Sequence, residues 1–153
     1  MLGVFTRGEL LKSLDTARIE AALKEAERET SGEIRVSVAP LFWGSIEAAA
    51  DRAFTRLGMA NTAERNGVLI FVCPSRHKFV VLGDEGIHQK VGQAFWEKIV
   101  AAIGAKFRTG DFTGGLVDGI LAVGQELKHH FPHQGERDVN ELPDEVDFGG
   151  KRR

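Results

Sequence analysis

Five consecutive apolar residues, Val68-Leu69-Ile70-Phe71-Val72, constrain the fold of this chain more than any other stretch. The run is of strand length, rich in β-branched and aromatic side chains, and has no polar face, so it suits a central strand covered on both sides. Only Pro74-Ser75-Arg76-His77 separates its end at Cys73 from a second strand-like run, Lys78-Phe79-Val80-Val81-Leu82. A turn that short cannot carry a parallel crossover, so the two runs form an antiparallel hairpin. A sheet with both faces covered is the middle layer of a larger stack.

The flanking segments supply the other layers. From residue 13 to residue 30, Leu14, Ala17, Ile19, Ala22, Leu23 and Ala26 recur at helical spacing among charged residues, and Ser31-Gly32 stops the pattern. Glu33-Ile34-Arg35-Val36-Ser37-Val38-Ala39 then alternates polar and apolar, the pattern of a half-buried strand ended by Pro40. A second helix is expected over residues 45–57, with Ile46, Ala49, Ala50, Ala53, Phe54 and Leu57 on one stripe. Two more follow. Residues 87–107 place Val91, Phe95, Ile99, Ala102 and Ile103 inward, and residues 112–131 do so with Leu116, Ile120, Val123 and Leu127. Helices alternating with strands, plus one hairpin, imply a three-layer α/β/α sandwich around a small mixed sheet. The domain is expected to span residues 1–132. After Pro132 the chain turns polar, so residues 133–153 are expected to form a disordered tail.

Composition removes several classes of function. A formal charge of -2 argues against general nucleic-acid affinity, which rests on a basic surface that neutralises phosphates. The single Cys73 excludes an intramolecular disulfide and a zinc site built from several cysteines. No apolar run approaches the roughly 20 residues that span a bilayer, so an integral membrane protein is not expected. The opening residues MLGVFTRGELLKSLD do not read as a secretory signal, which makes the cytoplasm the expected location. Oligomeric state leaves no mark in the sequence.

Chemistry is best sought in Gly83-Asp84-Glu85-Gly86, an acidic loop between a strand and a helix. Its glycines permit tight or positive-φ backbone. One carboxylate there caps the following helix, or the pair contributes to a divalent-cation site; calcium takes about 6 to 8 oxygens and magnesium about 6, so further ligands are required. Asn66, before the central strand, and Asp51, on the preceding helix, are the candidates, although Asn66-Gly67 also reads as a turn and Asp51 as a solvated helix position. His88 follows the acidic loop and suits an acid, a base, a ligand or a surface position. Asp111 is placed as a helix N-cap, and His129, His130 and His133 at a helix end where positive charge is favoured. Phe42-Trp43-Gly44, after a strand end, stands out among the aromatics as a groove-lining candidate. Gly-x-Ser-x-Gly, the P-loop pattern and His-Glu-x-x-His are all absent.

Ser31-Gly32-Glu33-Ile34, the alanine-rich helix with Asp51 and Phe54, Asn66-Gly67-Val68-Leu69-Ile70, and Phe107-Arg108-Thr109-Gly110-Asp111-Phe112 with Gly115 together resemble the TPM domain family over residues 13–131. That family includes a thylakoid-lumen acid phosphatase and many bacterial proteins of unassigned role. The resemblance implies an α/β/α sandwich, a divalent cation (Ca or Mg) near the loops at one end of the sheet, and phosphatase activity in some members. By position, Asn66 matches the family's Asn-Gly and Asp51 its acidic helix residue. Gly83 to Gly86 stands where the family carries a Gly-x-Gly loop, here Gly-Asp-Glu-Gly without the Pro-Asp pair that often follows. Two functional readings result. One is a cation-binding domain with Asp51, Asn66, Asp84 and Glu85 as ligands and metal-assisted phosphatase activity; the other is a non-catalytic module that binds a protein partner through this end or through its tail.

Overall fold

The computed structural model describes residues 14–40, 42–132 and 144–149. Four helices and three strands follow in the order α1 (Thr16–Glu27), β1 (Glu33–Val38), α2 (Ile46–Arg56), β2 (Gly67–Cys73), β3 (Lys78–Gly83), α3 (Glu85–Arg108) and α4 (Phe112–His130), with a 3₁₀ turn, Pro74–Arg76, between β2 and β3. The sheet order is β1-β2-β3. β1 pairs parallel with β2, Val36 facing Ile70, because α2 supplies the crossover that parallel pairing needs. β2 pairs antiparallel with β3, Ile70 facing Val81, as the short turn demands.

Side-chain alternation divides the core in two. Ile34, Val36, Val38, Val68, Ile70 and Val72 face the larger core, formed with Ile19 and Leu23 of α1, Ile99 and Ile103 of α3, and Ile120 and Leu127 of α4. Leu69, Phe71 and Cys73 point the other way, onto Ile46, Ala49, Ala50 and Ala53 of α2 and onto Met59. The arrangement is the expected three-layer sandwich with a small mixed sheet and a hairpin. Its layers are unequal: three helices cover one face and one helix the other.

Two expectations are corrected. β1 is buried along its whole length, including polar Glu33, Arg35 and Ser37, where alternation implied one solvated face. The cover comes from residues 144–149, inside the stretch expected to be a disordered tail. Val38 N donates to Asp147 O at 2.7 Å and Asp147 N to Val36 O at 2.9 Å, so this strap runs parallel to β1 along its free edge. Val146 is buried and Phe148 packs against the larger core. Polar composition concealed the alternation Val146-Asp147-Phe148, which is enough to seat an edge strand. The rest of the expected tail, 133–143 and 150–153, lies outside the described residues.

The strap is held electrostatically at both ends. The Asp147 carboxylate accepts from Ser37 Oγ at 2.7 Å, Arg56 Nη2 at 2.8 Å and Gly149 N at 3.1 Å. Burial opposes its ionisation, but those hydrogen bonds outweigh burial and the carboxyl titrates below its ordinary range. At the other end Glu27 faces Asp144. Burial, then the hydrogen bond between the two side chains, pushes the Glu27 pKa up to about 11, so Glu27 holds its proton at neutral pH.

Candidate functional site

Three of the sequence-predicted residues, Asn66, Asp84 and Glu85, stand by the start of β2 and the end of β3. Asp84 N donates to Gly67 O at 2.9 Å, and Gly86 N to Arg65 O at 2.8 Å, which locks the acidic loop against residues 65–67. Asp84 is the N-cap of α3, its Oδ1 accepting from Glu85 N at 2.8 Å. Capping is therefore part of its work. The same carboxylate, 7% exposed, is gripped by Arg65: Nε donates to Oδ2 at 2.6 Å and Nη2 to Oδ1 at 2.8 Å. This is the bidentate fork that makes arginine–carboxylate pairs strong. Glu85 is exposed and reaches Arg65 Nη1 at 3.5 Å. The hydrogen bond to Asp84, reinforced by the charges of Asp84 and Glu85, raises the Arg65 pKa further above its ordinary value.

Asn66 is 1% exposed. Its Nδ2 donates to Ser31 Oγ at 3.2 Å and to Glu64 Oε2 at 3.4 Å, and Ser31 Oγ in turn donates to Glu64 Oε2. Its Oδ1 is buried and accepts no hydrogen bond from any described residue. A buried amide oxygen left so forfeits about 1–3 kcal/mol, which makes it the outlier of this region. It is not a turn former alone.

Asp51 is not brought into this group. It sits half-way along α2, exposed, and its side chain makes no hydrogen bond or ion pair with any described residue. Among the described residues no three His, Cys, Asp or Glu side chains converge as a ready cation cage. Glu64 and Arg65 are the participants that sequence reading missed. Their only signal was adjacency to Asn66, since a charged pair before a strand otherwise reads as a solvated turn.

The glycines have a different purpose from the one expected. Neither Gly83 nor Gly86 adopts positive φ. A Cβ on Gly83 would stand 2.2 Å from Trp96 Cζ2, and one on Gly86 would stand 2.1 Å from Glu64 O. Close approach, not backbone freedom, excludes side chains here. His88 is exposed, and its Nδ1 accepts from Trp96 Nε1 at 3.0 Å, which places the ring proton of neutral His88 on Nε2. The other expectations fall out simply. Asp111 caps α4, accepting from Gly114 N at 2.9 Å. His130 lies 3.3 Å from Glu126 at the helix end, beside His129, while His133 is outside the described residues.

Of Phe42-Trp43-Gly44, Phe42 lines a groove. Phe42, with Ser37, Phe71, Ala53, Arg52 and Arg56, borders an open cleft of about 390 Å³ beside α2, further along β1 and β2 than Asn66. Trp43 next to it is 94% exposed.

No described helix is long and apolar enough to cross a membrane. No curated protein matches the chain. Among solved structures, the BA42 protein of the psychrophilic bacterium Bizionia argentinensis is similar over 97% of this chain and 99% of its own, with a TM-score of 0.81 and 36% identity. The N-terminal domain of a P. gingivalis protein shares the fold at a TM-score of 0.60 and 20% identity, covering 86% of this chain and 84% of that one. One from Corynebacterium glutamicum does so at 0.56 and 14%, covering 90% and 80%. The family model described as the TPM domain matches residues 4–126, and with the three-layer fold and the Asn66-Gly67 junction in place, the chain belongs to the TPM domain family.

Proposed function

We propose that the end of the sheet around Asn66 takes a divalent cation, Ca or Mg, in exchange for the Arg65 guanidinium. The observation that carries this reading is the orphaned Asn66 Oδ1, buried beside the Glu64 carboxylate and next in sequence to the arginine that neutralises Asp84. Hard cations seek such oxygens, carboxylate and amide together. The Arg65 side chain is 44% exposed, so it can swing into water without opening the core. Asn66, Asp84 and Glu85 then form the protein's share of the ligands, Glu64 adds a fourth candidate, and water completes the shell. Asp51, exposed on α2 and bonded to none of them, stands outside this set.

A cation held here would supply Lewis-acid polarisation of a phosphate ester oxygen, the chemistry that the family's phosphatase members suggest. The residues' own part is to fix the loop: Asp84 through the cap, Gly86 through the hydrogen bond its N–H donates to Arg65 O, and Asn66 through Ser31 and Glu64.

Calorimetric titration with Ca and Mg tests the exchange directly. Arg65→Gln removes the competing cation and should tighten binding, whereas Asp84→Asn should abolish it. Unchanged affinity in both variants would refute the site. A second reading, a protein-binding module, draws support from Trp43, since a tryptophan this exposed is the residue type that anchors interfaces. Trp43→Ala would then lose partners in a pull-down that the cation variants retain.

A further inference from the structure

The cleft beside α2 is charged in the opposite sense to the chain as a whole. Among the described residues its lining carries two arginines, Arg52 and Arg56, and no acidic residue, with the Asp147 carboxylate lying against Ser37, Arg56 and Gly149 at its edge, in a protein of formal charge -2. The two arginines are not equivalent. Arg56 is committed to Asp147, both of its Nη atoms donating to that carboxylate. Arg52 makes no hydrogen bond or ion pair with any described residue, and it lies one helical turn before Arg56 on the same side of α2. A free guanidinium beside a satisfied one is a fork presented to a ligand.

The remainder of the lining is apolar but for Ser37. α2 turns alanines, Ala49 and Ala53, towards the sheet, so the helix leaves room above Phe71. Phe42 stands 6.3 Å from Phe71, ring centroid to centroid, tilted by 56°. It is fixed there by Arg76, whose Cζ lies 4.2 Å over its ring and whose Nη2 donates to Phe42 O at 3.0 Å. The strap closes one side, Gly149 lying against Pro40. The Ser37 hydroxyl on the floor is already used in donating to Asp147. The volume lies within the range of small-molecule sites, roughly 300–1,000 Å³.

We infer that this cleft binds a small organic oxyanion, a phosphate or carboxylate on an aromatic body, with the anion on Arg52 and the ring against Phe42 and Phe71. Planar guanidinium matches either oxyanion in a two-point contact, and the aromatic walls take a flat ring edge-to-face or offset. The site is separate from the Asn66 end: it lies towards the other end of β2 and shares no residue with the cation reading.

Two-dimensional amide NMR of the full chain, in the presence of a chelator, tests this with three probes: phenyl phosphate, benzoate and inorganic phosphate. Saturable shifts clustered at residues 37–42, 49–56 and 71 with either aromatic probe support the inference, and the better of the two identifies the oxyanion. Arg52→Gln, at an exposed position that the fold does not use, should weaken that probe about tenfold or more while leaving the rest of the spectrum in place. Three results would overturn it: no saturable shifts with either aromatic probe, shifts centred on residues 64–66 and 84–88, or inorganic phosphate binding as tightly as phenyl phosphate. Because chelator is present, failure here leaves the cation reading untouched, and failure of calcium to bind leaves this one standing.

Discussion

Glu27 shows how much a single buried carboxyl decides in this protein. Its Oε2 accepts from Ile34 N at 2.7 Å, at the point where α1 hands over to β1, and its burial is what keeps the proton on it, helped by Asp144 and by the nearby charge of Glu33. The folded pKa is raised from 4.5 to about 11, so over that window the folded chain holds a proton that the unfolded chain has lost. Stability from this group is therefore complete below the ordinary carboxylate pKa and declines as pH rises towards the folded value. Glu27→Gln keeps a neutral side chain that still accepts from Ile34 and donates to Asp144. Urea unfolding at about pH 5, 7 and 9 should show wild-type stability falling across the series and the variant's falling less. Parallel slopes would mean that Glu27 is ionised in the folded state. None of this is legible in the sequence, where Glu27 is one of several acids on an amphipathic helix. Asn66 lies between the extremes: its adjacency to Gly67 and the central strand marked it, but its orphaned oxygen needed the fold.

Elements were readable where their period was strong. The four helices and three strands of the described residues stand within a few residues of their expected bounds, because each apolar stripe has only one face to bury. Irregularity inside an element was not. α3 departs from helical geometry at Gly92, with φ 76° and ψ 172°, a region essentially confined to glycine. In a straight helix His88 and Trp96 would be about 12 Å apart along the axis, yet Trp96 Nε1 donates to His88 Nδ1 at 3.0 Å. The kink brings them together and lays the indole over Gly83. Periodicity reads 87–107 as one helix with Val91, Phe95, Ile99, Ala102 and Ile103 inward; Ile99 and Ile103 are buried and Val91 and Phe95 pack against the core, but Ala102 is exposed and Trp96, outside that stripe, is buried. Gly92→Ala should cost about 1–3 kcal/mol and shift the environment of Trp96 in near-ultraviolet circular dichroism. An unchanged midpoint and spectrum would show that the kink is not required by the packing.

At the scale of the whole molecule, the least legible feature is how the sandwich closes. Helices and hairpin imply a sheet with two edges, β1 and β3, and a long β1 edge offers unpaired N–H and C=O groups to any neighbouring chain. Here the edge is taken by residues 144–149, which also bury Arg35 and Ser37 and neutralise Arg56. The strap is thus a working part of the domain, although its first described residue, Asp144, stands 12 positions after Pro132 at the end of the helical layers. A chain ending at Pro132 tests the point, since it retains every described helix and strand and loses the strap. It should unfold about 2–4 kcal/mol more readily, from the lost burial of Val146 and the stranding of Arg35 and Ser37. Its free β1 edge should also make it self-associate with rising concentration, visible by light scattering behind size exclusion. Restoring the edge with a synthetic peptide of residues 144–149 should reverse both effects at sufficient excess, because a ligand of the native state alone stabilises it by mass action. If the shortened chain is as stable as the full one and remains as dispersed, β1 does not need its cover and the strap is ornamental to the fold.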